Sequence, residues 1–232
     1  SFVMAIKDEE ELDLIKKSSV LSNKVMKHGC VARLEEIIDG EEKISHEKLS
    51  TYIDEILEDP SKIKLKVPKD DVSACYFPIV QSGGYYDIKV SAASNSDDLK
   101  YDIVIVSLGA RYRSYCSNIA RTFLVDPPKK VSETYEHLLG MQEACILAMK
   151  PGKPLKNVYK AAVIYLQEND ASHLIAHLPK TLGFSIGMDF RDGNLTLSPK
   201  NGASFKAGMT FSLACGFQNL ILTDKDKSST PK

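Results

Sequence analysis

The sequence predicts an α+β fold, with helices packed on one side of a mainly antiparallel sheet. Three observations predict it. Helical and strand-like segments come in blocks, helices, strands, helices, strands, rather than in strict alternation. The stretch Asp102–Leu124 reads as two strands folded back on each other. Ile103, Val104, Ile105 and Val106 form an apolar run suited to a strand buried on both faces, and a second strand runs from about Tyr115 to Val125. Prolines and glycines punctuate the blocks where elements should stop.

In chain order, Asp8 and Glu9–Glu11 open a helix, because acids in its first turn complement the helix dipole. Leu12, Ile15, Leu21 and Val25 supply its apolar stripe, Gly29 marks a break, and helix resumes through Val31–Ile38. Ser45 caps the next helix, Leu49, Tyr52, Ile53, Ile56 and Leu57 line one face, and Pro60 stops it. Lys62–Lys69 is loop. Ser73–Val80 is strand, Ser82-Gly83-Gly84 is a turn, and Tyr85–Ser91 pairs back. Ser94–Lys100 is a polar loop. In the central pair, Gly109 ends the first strand and Arg111–Arg113 form a polar turn. Asp126-Pro127-Pro128 closes the pair, since proline cannot continue a central ladder. Ser132 caps a long helix with Tyr135, Leu138, Leu139, Ile146 and Met149 inward, ended by Pro151-Gly152. A further helix carries Leu155, Val158, Ala162, Tyr165 and Leu166. Residues 184–190 and 209–217 read as strands. Residues 1–222 are expected to form one domain, followed by a polar tail at 223–232.

Composition excludes several classes. Of 232 residues 43% are hydrophobic and 26% charged, the profile of an ordinary globular protein, and the net charge of −1 argues against general nucleic-acid binding. Residues 1–60 hold eight Lys/Arg against fifteen Asp/Glu. The clusters Glu9-Glu10-Glu11, Glu35-Glu36 and Glu41-Glu42 form a candidate acidic surface for a basic partner. Five cysteines, widely spaced and without C-x-x-C, fit free thiols in a reducing compartment better than a metal ribbon or disulfide framework. Cys116 lacks a neighbouring base and reads as buried packing. The histidines show no ligand spacing; His173 and His177 could share a helix face but lack a third ligand. No apolar run reaches the roughly 18–20 residues of a membrane span. The start, Ser-Phe-Val-Met-Ala-Ile-Lys, resembles no signal peptide and reads as a cut just before a helix.

Four segments carry a resemblance. Ser107-Leu108-Gly109 is followed eleven residues on by Asn118. Gly183-Phe184-Ser185-Ile186-Gly187 and Gly208-Met209-Thr210-Phe211-Ser212-Leu213-Ala214 come later. With the order of elements, these resemble the "pita-bread" superfamily of methionine aminopeptidases, prolidases and creatinase, which implies a curved, mainly antiparallel sheet. Its metal-dependent members carry Asp-x-Gly, a second Asp, a His in the glycine segment and a Glu on the later strand. By that resemblance the four former metal-ligand positions are Ser107, Asn118, Phe184 and Ala214, and none retains a carboxylate or imidazole. A fifth ligand would fall on a strand not found before Lys232. The substrate-polarising His has no counterpart in Tyr85–Ser91, and a later His-Glu pair aligns with Arg191 and Asp192. The resemblance therefore implies no metal, no cofactor and no catalysis, because nothing remains to lower the pKa of an attacking water.

Within that superfamily, Tyr115-Cys116-Ser117-Asn118, Val80-Gln81-Ser82-Gly83-Gly84 and Phe190-Arg191-Asp192-Gly193 resemble the large subunit of the FACT histone chaperone. This implies a binding module in the nucleus, on chromosomes. Its partners would be core histones, replication and transcription factors and, through other domains, the small HMG-type subunit. No membrane and no sequence-specific nucleic-acid contact are implied. A vestigial cleft lined by Tyr112 and Phe184 could take a peptide; core filling by Phe184 is the alternative. Two other readings stand beside this one. An inactive relative of the proliferation-associated branch would bind RNA or ribosomes, though no dense Lys/Arg patch supports that. A residual metallopeptidase would need ligands that the four positions do not supply.

Overall fold

The computed structural model describes residues 2–84 and 86–222. Helix α1 (Phe2–Ala5) precedes α2 (Glu9–Lys24). Asp8 caps α2: its carboxylate accepts the Glu11 N–H at 2.8 Å, and Glu11 accepts the Asp8 N–H at 2.9 Å. This reciprocal arrangement satisfies two donors that a helix start otherwise leaves orphaned. The break expected at Gly29 does not occur. The chain runs through a π-helical stretch, Val25–Val31, directly into α3 (Ala32–Asp39). Gly29 serves close approach instead, since a Cβ there would stand 2.9 Å from Ile56 Cδ1. Helix α4 (His46–Glu58) starts at Ser45, whose hydroxyl accepts the Lys48 N–H at 3.3 Å. Leu12 and Tyr52, expected inward, lie at the exposed edges of their helices.

Six short strands follow: β1 (Val72–Ala74), β2 (Ile79–Gln81), β3 (Ile103–Leu108), β4 (Ala110–Tyr112), β5 (Tyr115–Cys116) and β6 (Ile119–Leu124). They form two antiparallel sheets, ordered β1-β4-β5 and β2-β3-β6. The expected central pair is thus one long hairpin, bent so that each half joins a different sheet. The bend lies at Gly109 on one arm and Ser117-Asn118 on the other. A Cβ at Gly109 would stand 2.7 Å from the Ser117 carbonyl oxygen, so only glycine lets the arms close there. The hairpin tip is Arg113-Ser114, both at positive φ (44° and 76°), the handedness that matches strand twist in a two-residue turn. Asp71 pins it, accepting the Arg113 N–H on its carbonyl at 2.8 Å and Arg113 Nε on its carboxylate at 3.0 Å.

Several expectations are corrected here. Arg111 and Tyr112 belong to β4, not to the turn. Strand β3 alternates between buried and half-buried positions rather than burying both faces. The segment 73–80 is split between two sheets by Cys75–Pro78, and residues 86–91 form no strand; Tyr85 lies outside the described residues. Helix α5 (Lys129–Ala148) begins straight after Pro128, ahead of Ser132. It buries Val131, Met141 and Cys145, while Leu139 and Ile146 face outward. Helix α6 (Lys156–Glu168) buries Val158, Ala162 and Leu166 as its periodicity requires.

The third sheet, ordered β8-β7-β9, comprises β7 (Gly183–Ser185), β8 (Asp192–Thr196) and β9 (Phe211–Leu213). Strand β8 is missed by sequence because Asp-Gly-Asn-Leu-Thr lacks strand formers. Gly183, at φ +145°, has no room for a side chain, because a Cβ there would collide with the Ser212 carbonyl oxygen. One buried cluster gathers α2 to α4 and the first two sheets; a second gathers α5, α6 and the third. The architecture is the expected α+β one. The tail at 223–232 lies outside the described residues.

Candidate functional site

The bend in the long hairpin brings Ser107 and Asn118 together, one on each arm. A third residue, which sequence reasoning missed, joins them. The Tyr76 hydroxyl lies 2.6 Å from Ser107 Oγ and donates to Asn118 Oδ1 at 2.5 Å. Asn118 turns its amide outward, Nδ2 donating to Ser212 Oγ on β9 at 3.2 Å. A continuous neutral relay, Ser107–Tyr76–Asn118–Ser212, therefore spans the second and third sheets. Burial pushes the Tyr76 phenol well above its usual range, so it stays a neutral donor across physiological pH.

Phe184 sits beside this relay, opposite Ser212 in the β7–β9 register. It is 6% exposed. Its ring meets Phe190 edge-on at 5.5 Å, Phe190 meets Tyr76 at 5.2 Å, and the Arg191 guanidinium stands 5.3 Å over the Phe184 face. Such aromatic and cation–π contacts contribute about 0.5–1.5 kcal/mol each beyond area burial. Phe184 thus packs as a core residue would. Ala214 follows β9, exposed, with its N–H held by the Leu182 carbonyl at 2.8 Å. Three of the four expected positions converge on the relay. Ala214 makes no recorded side-chain contact with it.

Tyr112 does not share a recorded contact with Phe184. It lies on β4 and lines a separate groove against α2. The acidic residues do not form one surface either. Glu9, Glu10 and Glu11 open α2, whereas Glu35, Glu36, Glu41 and Glu42 lie at the far end of the continuous α2–α3 helix, on the order of 40 Å away at 1.5 Å per residue. Arg33 pairs with Glu36 at 3.1 Å and Glu42 at 2.7 Å, and Glu11 accepts the Tyr115 hydroxyl at 2.8 Å. His173 and His177 lie in a 3-10 turn, Ser172–His177, where residues four apart diverge. Cys116 is fully buried, its thiol 3.5 Å from the Met188 carbonyl.

The signals that would have found the relay are weak. Ser212 is two residues before Ala214, hence on the same strand face. Tyr76 lies 31 and 42 residues from its partners, and nothing local in the sequence marks it.

Residues 13–227 match the family described as Metallopeptidase family M24. The chain belongs to metallopeptidase family M24. It is 41% identical over 232 residues to the FACT complex subunit SPT16 of Oryza sativa subsp. japonica, covering 99% of this chain and 22% of that protein. It is 39% identical over 230 residues to the Dictyostelium discoideum subunit of the same name, again covering 99% and 22%. The solved N-terminal domain of SPT16 from Cicer arietinum matches at TM-score 0.93 and 43% identity, over 96% of this chain and 53% of that one. An X-Pro aminopeptidase from Thermotoga maritima matches at TM-score 0.75 and 19% identity, over 93% and 56%, and shows the shared fold alone. The chain spans about a fifth of the length of the curated relatives it matches.

The M24 frame sharpens what the relay means. The donors at the four positions do not fit a pair of divalent cations, because hydroxyl and amide oxygens are engaged with Tyr76 and Phe184 and Ala214 offer none. Among the described residues, no three of His, Cys, Asp and Glu are grouped to hold an ion.

Proposed function

We propose that the chain is the non-catalytic, aminopeptidase-like module of a FACT-type histone chaperone. It would contact core histones or other chromatin factors as nucleosomes are taken apart and rebuilt in transcription, replication and repair. The full-coverage similarity to SPT16 subunits supports the chaperone reading and, with it, a place in the nucleus on chromatin. One observation carries the non-catalytic part. Tyr76 bonds both Ser107 Oγ and Asn118 Oδ1, which supports reading these two residues, by the family resemblance, as former ligand positions now tied to a phenol rather than to a cation.

A basic histone segment would find the two acidic groups unequal. Glu9 and Glu10 are exposed and carry no ion pair among the described residues, whereas Glu36 and Glu42 are already matched by Arg33. The α2 start is the better candidate contact. The test has two arms. Metal analysis of purified protein with a peptide-release assay should give substoichiometric divalent metal and no product. Pull-down at physiological salt should favour core histones over RNA, and weaken when Glu9 and Glu10 become Gln. Stoichiometric metal with peptide release would overturn the non-catalytic reading. RNA preferred over histones would point to the proliferation-associated branch instead.

A further inference from the structure

One face of α2 is unlike the rest of the molecule. Asp13, Lys16, Lys17, Val20, Leu21 and Lys24 recur at the three- and four-residue spacing that places side chains on a single helical face. Opposite them runs the segment Leu65–Pro68, and Tyr112 of β4 closes one side. Together they enclose a groove of about 280 Å³. That is below the roughly 300–1,000 Å³ of sites that take a whole small molecule, so it suits one or two side chains of a longer ligand.

Its floor is apolar, from Val20, Leu65, Val67 and Tyr112, and Val20 is left 49% exposed. Its rim is basic. Four lysines, Lys16, Lys17, Lys24 and Lys66, face a single acid, Asp13, which Lys17 already neutralises at 2.7 Å. The remaining three lysines are exposed and have no hydrogen-bond or ion-pair partner among the described residues. Arg113, 5.8 Å from the Tyr112 ring centroid, adds charge at the closed side, although Asp71 holds it. In a chain of net charge −1, whose first sixty residues are acidic, this is a local reversal of sign.

We propose that this groove docks an acidic peptide segment bearing one or two apolar anchors. The anchors would cover Val20, Leu65 and Val67, and flanking carboxylates would meet Lys16, Lys24 and Lys66. Charge complementarity selects the partner: a basic histone tail is repelled at this rim, so the groove serves a different ligand from the one proposed above and stands independently of it. The apolar floor decides between anionic classes. A nucleic-acid backbone would satisfy the lysines but leave the aliphatic floor facing water, whereas a peptide side chain removes it from water at about 25 cal/mol per Å².

The test uses a fluorescently labelled Glu-rich peptide with Leu and Phe four positions apart, read by anisotropy at low and at physiological salt. Three further probes are compared: the same peptide with Ser for both anchors, a Lys-rich version, and single-stranded oligo-dT. The acidic, anchored peptide should bind, weakening at higher salt. The Ser version should bind at least about tenfold more weakly, and the Lys version not at all. K16E/K24E/K66E should weaken the anchored peptide about tenfold or more. V20D, tested separately, should remove the preference for anchors. Unchanged melting temperatures would show that the variants remain folded. Absence of binding, oligo-dT binding as tight as the peptide, or binding indifferent to both variants would overturn the proposal.

Discussion

The Tyr76 relay makes a quantitative claim about stability. Tyr76→Phe keeps the ring, and with it the contact to Phe190, but deletes the hydroxyl. Ser107 Oγ then loses its recorded partner, and Asn118 Oδ1 loses the donor at 2.5 Å. Leaving a buried polar group unpaired costs about 1–3 kcal/mol. All three residues are half-buried, so water relieves part of the loss, and the lower half of that range, about 1–2 kcal/mol, applies. For a domain of this size that corresponds to a fall of roughly 2–8 °C in melting temperature. Urea denaturation of the wild type, Tyr76→Phe, Ser107→Ala and the double variant gives the assay. In the double variant the two losses should overlap, with a coupling of about 0.5–1 kcal/mol or more. If Tyr76→Phe is neutral within about 0.3 kcal/mol and the two changes simply add, Ser107, Tyr76 and Asn118 do not form a connected network.

Further predictions follow the same physics. Gly183→Ala should collapse the β7–β9 pairing, since its Cβ would collide with the Ser212 carbonyl oxygen at a backbone position of positive φ; soluble yield and melting temperature read this out. Ser117 accepts from the Ser18 hydroxyl at 2.9 Å and shares a hydrogen bond with the Ser22 hydroxyl at 2.7 Å in a buried cluster that ties α2 to the hairpin bend. Ser117→Ala should therefore cost about 1–3 kcal/mol in chemical denaturation, more than an exposed Ser→Ala change. The Tyr115 phenol is pushed up to about 12 by its hydrogen bond to the Glu11 carboxylate. The folded pKa exceeds the unfolded one, so this contribution is fully present below about pH 10 and is lost as pH rises from there to about 12. Tyr115→Phe should flatten that alkaline loss in urea midpoints measured across the same interval.

The sequence makes the helices and their caps legible because their signals are local. Asp8 with Glu11, Ser45 with its N-terminal turn, and the α6 stripe each declare themselves within a dozen residues. Gly29 misleads because a helix-breaking residue and a close-packing residue look alike until Ile56 is placed against it. The bent hairpin is half legible. Its two strands show as apolar runs, but the transfer between sheets depends on Gly109 meeting the Ser117 carbonyl, a contact with no pattern of its own. In the same way, Ser107 and Asn118 are reached only through the resemblance to the family's Asp-x-Gly and second-Asp pattern, whereas Tyr76 is invisible because its role depends on partners far along the chain. The acidic clusters are legible as residues but not as a surface, because Glu9–Glu11 and Glu35–Glu42 stand at opposite ends of one continuous helix.

The relay also sets what a pair of acids at Ser107 and Asn118 would cost. Ser107 and Asn118 both touch one phenolic oxygen, so acids at both positions would lie within about 5 Å, where two like charges repel by roughly 3 kcal/mol at an effective dielectric of 20. A divalent cation cancels that repulsion; without one, one carboxyl must stay protonated. Ser107→Asp alone requires Tyr76 to turn its single O–H from Asn118 Oδ1 to the new carboxylate and Asn118 to flip its amide, a rearrangement that should cost little beside a second acid. Ser107→Asp/Asn118→Asp should raise an apparent carboxyl pKa in the folded state, so that its stability falls as pH climbs from about 4 towards neutrality, opposite to the usual paired carboxylate. Melting curves across that range, with and without manganese, read the effect. Phe184 and Ala214 supply no donors and Tyr76 still fills the gap, so manganese should rescue the double variant only weakly. A double variant whose stability is flat with pH would mean that Ser107 and Asn118 do not face each other across Tyr76, and one that takes up the ion stoichiometrically would mean that Tyr76 does not fill the gap between them.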